Sequence, residues 1–243
     1  MKDSKEVQDF VEGLYNDMDE ELKSTYRQKK ESRDELLKTI ALILLSYTIV
    51  NDVMSLSKSD YDKEYILLYK LIKTLTEGDI KQETSNITKI LKNTVNNTWD
   101  YYSYNHKLKD VEKIINENFK GKHFSSRVWT NGESLAQELT KQIQDFLKGK
   151  VNVNQIESNI KKIYNSSAYN TKRLVTTEVS RCSNQAFEEF AKKTGVKKVR
   201  YNAVLDSKTC EDCQQYNGKV YAFNNKPDLN RHPLCRCYYE IEE

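Results

Sequence analysis

Proline is nearly missing from this chain: 243 residues contain two, Pro227 and Pro233, both among the last 20. Proline breaks helix interiors, so everything before residue 227 is free to be helical. Glycine is also scarce, at seven residues, which leaves few places for turns that need a positive φ. Long apolar runs are missing too. The most hydrophobic stretch, Ile40 to Val53, is interrupted by Ser46, Tyr47, Thr48, Asn51 and Asp52. It falls short of the ~20 residues that a membrane span needs and reads as a buried helix. No stable membrane span is expected. The segment Met1 to Glu12 is acidic and has no apolar run of the kind a secretory signal carries. Charge of one sign does not dominate either: 39 Lys and Arg stand against 36 Asp and Glu, a net +3, so coating of DNA by the whole protein finds no support.

What remains is a polar chain with many aromatics. Charged residues make up 31%, hydrophobic residues 37%, and there are 16 tyrosines. That balance suits long helices with wide solvated faces, or a protein that completes its burial against a partner. The fold class expected is mainly α: an elongated helical N-terminal region, then a helical domain with a small C-terminal β-hairpin cap.

The hydrophobic pattern predicts one helix over about Ser4 to Lys30 and another over about Arg33 to Ser57, the latter on Leu36, Leu37, Ile40, Ile43, Leu44, Tyr47 and Val50. Further helical segments follow between Ser59 and Asn118. Gly121 and Gly132 punctuate the stretch after Asn118, which divides a region 1–120 from a domain 121–243. Beyond it, Leu135, Leu139, Ile143, Phe146 and Leu147 form one stripe closed by Lys148 and Gly149. Asn152 or Asn154 caps a short helix carrying Ile156, Ile160 and Ile163. A third helix runs from about Ser167 to Lys193 and stops at Gly195. The period then changes. Lys197 to Leu205 reads as a strand with Val199, Tyr201 and Ala203 on one face. Asn217-Gly218 signals a hairpin turn before a strand at Lys219 to Phe223, and Cys237 to Ile241 offers a third strand.

Four of the five cysteines fall between residues 210 and 237, as Cys210-Glu-Asp-Cys213 and His232-Pro-Leu-Cys235-Arg-Cys237. A two-residue gap lets one turn aim two thiolates at one metal, and the interval to His232 allows a hairpin to return to the same point. Tetrahedral Zn2+ needs four ligands and there are five candidates: Cys210, Cys213, His232, Cys235 and Cys237. Cys210 and Cys213 come first, and the other pair is left open among His232, Cys235 and Cys237. A structural zinc is favoured over a disulfide, packing thiols or redox chemistry, since neither a secretory signal nor a βαβ setting accompanies the motif. A catalytic zinc would need an open position and a nearby base. His106 and His123 are expected to be surface or packing residues.

Arg173, Thr177 and Arg181 recur at four-residue steps with Glu178 beside them, which makes a polar stripe. The opposite side carries Val175, Val179, Cys182, Ala186 and Phe190. The stripe is expected to be a structural Arg–Glu network. The alternative is an enzyme acting on nucleotides or nucleic acid through Arg173, Glu178 and Arg181. Between Thr171 and Arg200 eight basic residues face three acidic ones. Lys192, Lys193, Lys197, Lys198 and Arg200 are therefore candidate contacts to DNA phosphates, with a solvated face as the simpler alternative.

Arg127-Val-Trp-Thr-Asn131, the Leu135/Leu139 helix, Arg173-Leu-Val-Thr-Thr-Glu178, Arg181, Asn184, Ala186, Asp206-Ser-Lys-Thr-Cys210, Cys213, Asn217-Gly-Lys-Val220 and His232-Pro-Leu-Cys235-Arg-Cys237 follow one another in a specific order. Over roughly 124–239 the sequence resembles the phage head-morphogenesis family, the Mu F-like minor capsid proteins. Lys208 stands where that pattern usually has Arg, and Leu234 where it often has Asn. The resemblance implies a non-enzymatic minor head protein in the virion, inside the capsid, and in the host cytoplasm during assembly. It further implies a portal protein and capsid or scaffold proteins as partners, with packaged double-stranded DNA a further one, and a role in head assembly and DNA packaging or ejection. Residues 1–120 lie outside the motif and are expected to hold a docking surface, while the Cys/His module occupies 206–239.

Overall fold

The computed structural model describes residues 4–204 and 211–243. In chain order the elements are α1 (Ser4–Ser46), β1 (Ile49–Val50), β2 (Val53–Met54), α2 (Lys58–Tyr101), α3 (Leu108–Ile115), α4 (Phe124–Leu147), α5 (Val153–Thr194), β3 (Lys198–Asn202), α6 (Glu211–Gln214), β4 (Val220–Ala222), a 3-10 turn (Phe223–Asn225) and β5 (Tyr238–Glu242). The chain is mainly α with a small antiparallel sheet at its C-terminal end, as expected. Two compact units form. One comprises Met1–Leu22, Asn86–Phe124 and Lys172–Glu243, the other Lys23–Ser85 and Ser125–Thr171. Each draws on residues from both sides of position 121.

Helices run longer than the sequence pattern indicates. The first two expected helices are one, α1, which ends at Ser46 rather than Ser57. A tight hairpin takes the remaining residues, with Ile49 opposite Met54 and Val50 opposite Val53. Asn51 (φ 51°) and Asp52 (φ 61°) turn it, since both side chains tolerate the left-handed region that such a two-residue turn requires. The segments expected between Ser59 and Asn118 are α2 and the short α3. The two helices expected between Asn152 and Lys193 are the single α5, with Asn152 Oδ1 accepting from the Asn154 N–H at 2.7 Å at its start. Gly195 (φ 73°) does end it, and the Val196 N–H closes the last turn on Ala191 O at 3.0 Å.

In the second unit the core joins Leu36, Ile40 and Ile43 of α1, Leu68 and Ile72 of α2, Leu135, Leu139, Ile143 and Phe146 of α4, and Ile156, Ile160 and Tyr164 of α5. Gly132 lies inside α4 and marks no boundary. A Cβ there would sit 2.3 Å from Ile80 Cγ1, so the missing side chain lets α4 and α2 approach. A buried polar layer explains why α1 and α5 continue through Ser32 and Ser167. Lys29 Nζ pairs with Glu83 at 2.8 Å and donates to Ser167 Oγ at 3.1 Å, Ser32 Oγ donates to Asp79 Oδ1 at 2.7 Å, and Thr171 Oγ1 donates to Glu83 Oε1 at 2.9 Å. Each polar side chain that looked like a break is hydrogen-bonded in place.

In the first unit α1 buries Val7, Val11, Leu14, Met18 and Leu22. The sheet has the order β4-β3-β5, all antiparallel, with Lys198 to Asn202 paired to Glu242 to Tyr238. Val199, Tyr201 and Ala203 face inward as the alternation requires. Gly218 (φ 75°) lies in the turn after α6 instead of joining two strands directly.

Asp79 is a buried carboxyl raised above the usual carboxylate range, first by burial and then against the opposing pull of Ser32 and Lys29. A raised folded-state pKa means that stability is full below the unfolded value and is lost as pH rises through the folded one. Asp79→Asn removes a buried charge at neutral pH and nothing at low pH. The variant is expected to melt higher than wild type at pH 8, with the difference shrinking towards zero below about pH 4. A pH-independent difference in Tm would refute the assignment.

Candidate metal centre and the helix beneath it

Among the described residues Cys213, His232 and Cys235 bring their ligand atoms within 4.8 Å of one another. Cys213 comes from α6. His232 and Cys235 flank a tight turn in which the Cys235 N–H reaches His232 O at 3.3 Å. Pro233 presets the first central φ, and Leu234 takes the second at 64°. This turn is what brings a histidine and a cysteine three residues apart to the same point. Cys210 lies outside the described residues.

The geometry suits a tetrahedral metal. Cys213 Sγ is 3.3 Å from His232 Nε2 and 3.9 Å from Cys235 Sγ. Zinc–ligand bonds of about 2.3 Å to sulfur and 2.1 Å to nitrogen would place these pairs ~3.6 and ~3.8 Å apart. His232 Nδ1 meets Pro233 O at 2.9 Å. A carbonyl only accepts, so Nδ1 carries the ring proton and Nε2 offers its lone pair toward the thiols.

Cys237 is buried and lies outside that trio. Its thiol hydrogen-bonds Cys235, which holds Cys235 below the ordinary thiol range and pushes Cys237 up. Between them the proton sits on Cys237. Beside the thiols lies Tyr201 of β3, fully buried, its hydroxyl without an oxygen or nitrogen partner among the described residues. Burial raises its pKa first, followed by the Cys237 and Cys213 thiols.

The cap rests on α5. Thr177 Oγ1 donates to Arg173 O at 2.7 Å and accepts the Leu234 N–H at 3.1 Å. Ser180 Oγ donates to Asn230 Oδ1 at 2.5 Å, and Asn184 Nδ2 donates to Cys237 O at 3.1 Å. Glu178 and Arg181 are both buried, with Arg181 Nε on Glu178 Oε2 at 2.6 Å. Arg181 Nη1 also donates to Ile114 O of α3 at 2.9 Å and to Gln185 Oε1 at 2.6 Å. Arg173 is exposed, so its side chain stands apart from that pair. Of the candidate DNA contacts, Lys192, Lys193, Lys197 and Lys198 are exposed. Arg200 is engaged by Glu242 at 2.8 Å, Lys192 by Glu188 at 3.5 Å, and Lys198 Nζ donates to Glu243 O at 3.4 Å. His106 packs against Trp99, with ring centroids 4.6 Å apart.

The family described as phage Mu protein F like protein matches residues 131–240, from within α4 to β5. Over that region the chain is similar to the phage Mu F-like family. The family is one of phage minor head proteins, and its motif falls on α5 and the cap just described. No curated protein and no solved structure matches the chain. Ser180, Asn230 and Tyr201 escaped the sequence reading of the phage Mu F-like region. Tyr201 was visible only as an inward strand residue, and nothing in the sequence marks Ser180 or Asn230.

Leu234 holds a left-handed conformation that costs an ordinary residue about 1–2 kcal/mol and that asparagine tolerates. Leu234→Asn is expected to stabilise the protein by about 1 kcal/mol in urea unfolding at fixed metal concentration. Destabilisation would show that Leu234 earns its place by packing.

Proposed function

We propose that this is a non-enzymatic minor head protein of a phage, resident in the capsid interior, that helps head assembly near the portal and stays close to packaged DNA. The observation that carries this reading is the phage Mu F-like match, which covers the cap and the helix it docks on. The arrangement around Glu178 supports a structural role. Its Oε2 accepts from Arg181 Nε on the same helix, and Arg181 ties that helix to α3.

Residues 1–120 are proposed as the docking region for portal or scaffold. Leu42 and Leu45 of α1, Ile49 and Val50 of the hairpin, and Ile66, Leu67 and Tyr69 of α2 are large apolar side chains left exposed, Leu45 at 85%. Tyr47 bonds Glu64 at 2.8 Å, which holds these segments side by side. Solvent-facing apolar groups in such number mark an interaction surface. Co-expression with the cognate portal and scaffold is expected to yield procapsids that contain the protein. Leu45→Lys with Val50→Lys is expected to abolish incorporation without lowering Tm. Procapsids that exclude the wild-type protein would overturn the proposal.

The cap is proposed to hold one structural zinc, with Cys213, His232 and Cys235 joined by Cys210 through the Cys-x-x-Cys spacing. The bound ion would crosslink α6 to the 232–235 turn in a cap with little core of its own. Purified protein is expected to contain about one zinc per chain, and Cys213→Ser with Cys235→Ser is expected to lose it and melt earlier. A metal-free wild type whose melting does not respond to added zinc would refute this.

A further inference from the structure

The sheet places one more polar group under the metal ligands, and its state is unusual. Tyr201 sits on the central strand, with both backbone groups fixed: its N–H donates to Lys219 O at 2.9 Å, and its carbonyl accepts the Gly218 N–H at 2.8 Å. Its ring is wedged between Tyr216 and Tyr239, with centroids 5.5 and 5.7 Å away, in the same apolar cluster as Cys213, Cys235 and Cys237. The side chain therefore has no freedom to carry its hydroxyl to solvent. That hydroxyl has no oxygen or nitrogen partner among the described residues, and the groups it faces are the Cys237 and Cys213 thiols.

A buried hydroxyl without a good acceptor is costly, and a phenylalanine would fill the same space without it. The Cys237 thiol beside it keeps its proton and is a weak acceptor, so the metal-free cap gives this hydroxyl little in return. A metal-bound sulfur is a thiolate, and a thiolate is a strong acceptor. We infer that Tyr201 is a positioning residue of the Cys/His centre, whose buried hydroxyl donates to the ligand thiolate layer once a metal is bound. This rests on the zinc reading above. Tyr201 does not bind the ion. It orients sulfur and offsets thiolate charge, as outer hydrogen bonds do around other metal ligands.

The consequence is a change of sign between two states of one variant. In Tyr201→Phe the metal-free protein loses only weak contacts to thiols and sheds a poorly satisfied buried hydroxyl, so its Tm in excess chelator should equal or exceed that of wild type. The metal-loaded protein loses a donor to thiolate, which at such positions lowers affinity by about 10–100-fold.

The test uses the full-length chain, with zinc titrated against a chromophoric chelator and Tm recorded with and without chelator. In parallel, Co2+ is bound in place of zinc, and the sulfur-to-cobalt charge-transfer band is compared between wild type and Tyr201→Phe. The inference expects weaker zinc binding, a shifted band, and no loss of metal-free stability in the variant. Equal zinc affinity and an unshifted band overturn it while leaving the zinc site intact. A variant that is less stable in chelator by as much as in zinc also overturns it, because the hydroxyl then serves packing alone. A wild type that binds neither ion removes the zinc reading itself, and the inference with it.

Discussion

Thr177, Ser180 and Asn184 stand one after another along a single face of α5, and each meets a different part of the cap: the Leu234 N–H, the Asn230 side chain and the Cys237 carbonyl. Three points between residues 230 and 237 are thereby tied to one helix by side chains too short to wander. Strands of three and five residues cannot hold a register alone, and the apolar cluster under them is small. The pitch of α5 thus sets where the His-Pro-Leu-Cys turn lies. The turn in turn sets where His232 and Cys235 aim, and the Nδ1 contact to Pro233 O selects which imidazole nitrogen faces the sulfurs. The geometry of the candidate centre is inherited from helix geometry.

The second unit follows a related logic with different groups. Its apolar core is conventional, but its helices persist through residues that ordinarily end them. Lys29, Ser32, Ser167 and Thr171 do so because each has a buried partner on another helix, and Thr76 because its hydroxyl bonds back to Ile72 O. The layer takes Asp79 out of water, and that burial, with a smaller push from the Glu83 carboxylate, makes it keep its proton more tightly than usual.

This explains what was and was not legible in the residues. The stripe Leu135, Leu139, Ile143, Phe146 and its stop at Gly149, the inward alternation of Val199, Tyr201 and Ala203, and the end of α5 at Gly195 follow from short-range periodicity and backbone preference, and they are found as read. The mainly helical class follows from the shortage of proline. Helix continuity through 30–33 and 164–167 depends on partners distant in sequence, so local composition suggested breaks. The hairpin at 49–54 was signalled by β-branched residues around Asn51-Asp52, but the apolar run from Ile40 outweighed that signal. Gly132 looked like punctuation because its actual reason, the proximity of Ile80, is a tertiary contact. At the candidate centre, spacing alone nominated five ligands. The gathering of Cys213, His232 and Cys235 required the turn at Leu234, and the proton held by Cys237 required the packing around it.

Cys182 lends itself to a different use. It lies on the apolar side of α5, 0% exposed, its thiol pushed up to about 12 by burial and out of reach of electrophiles at neutral pH. The other four cysteines all fall between residues 210 and 237. A thiol reagent added to the native protein is thus blind to the helical body and reads the cap alone. The chain carries its own reporter of cap opening.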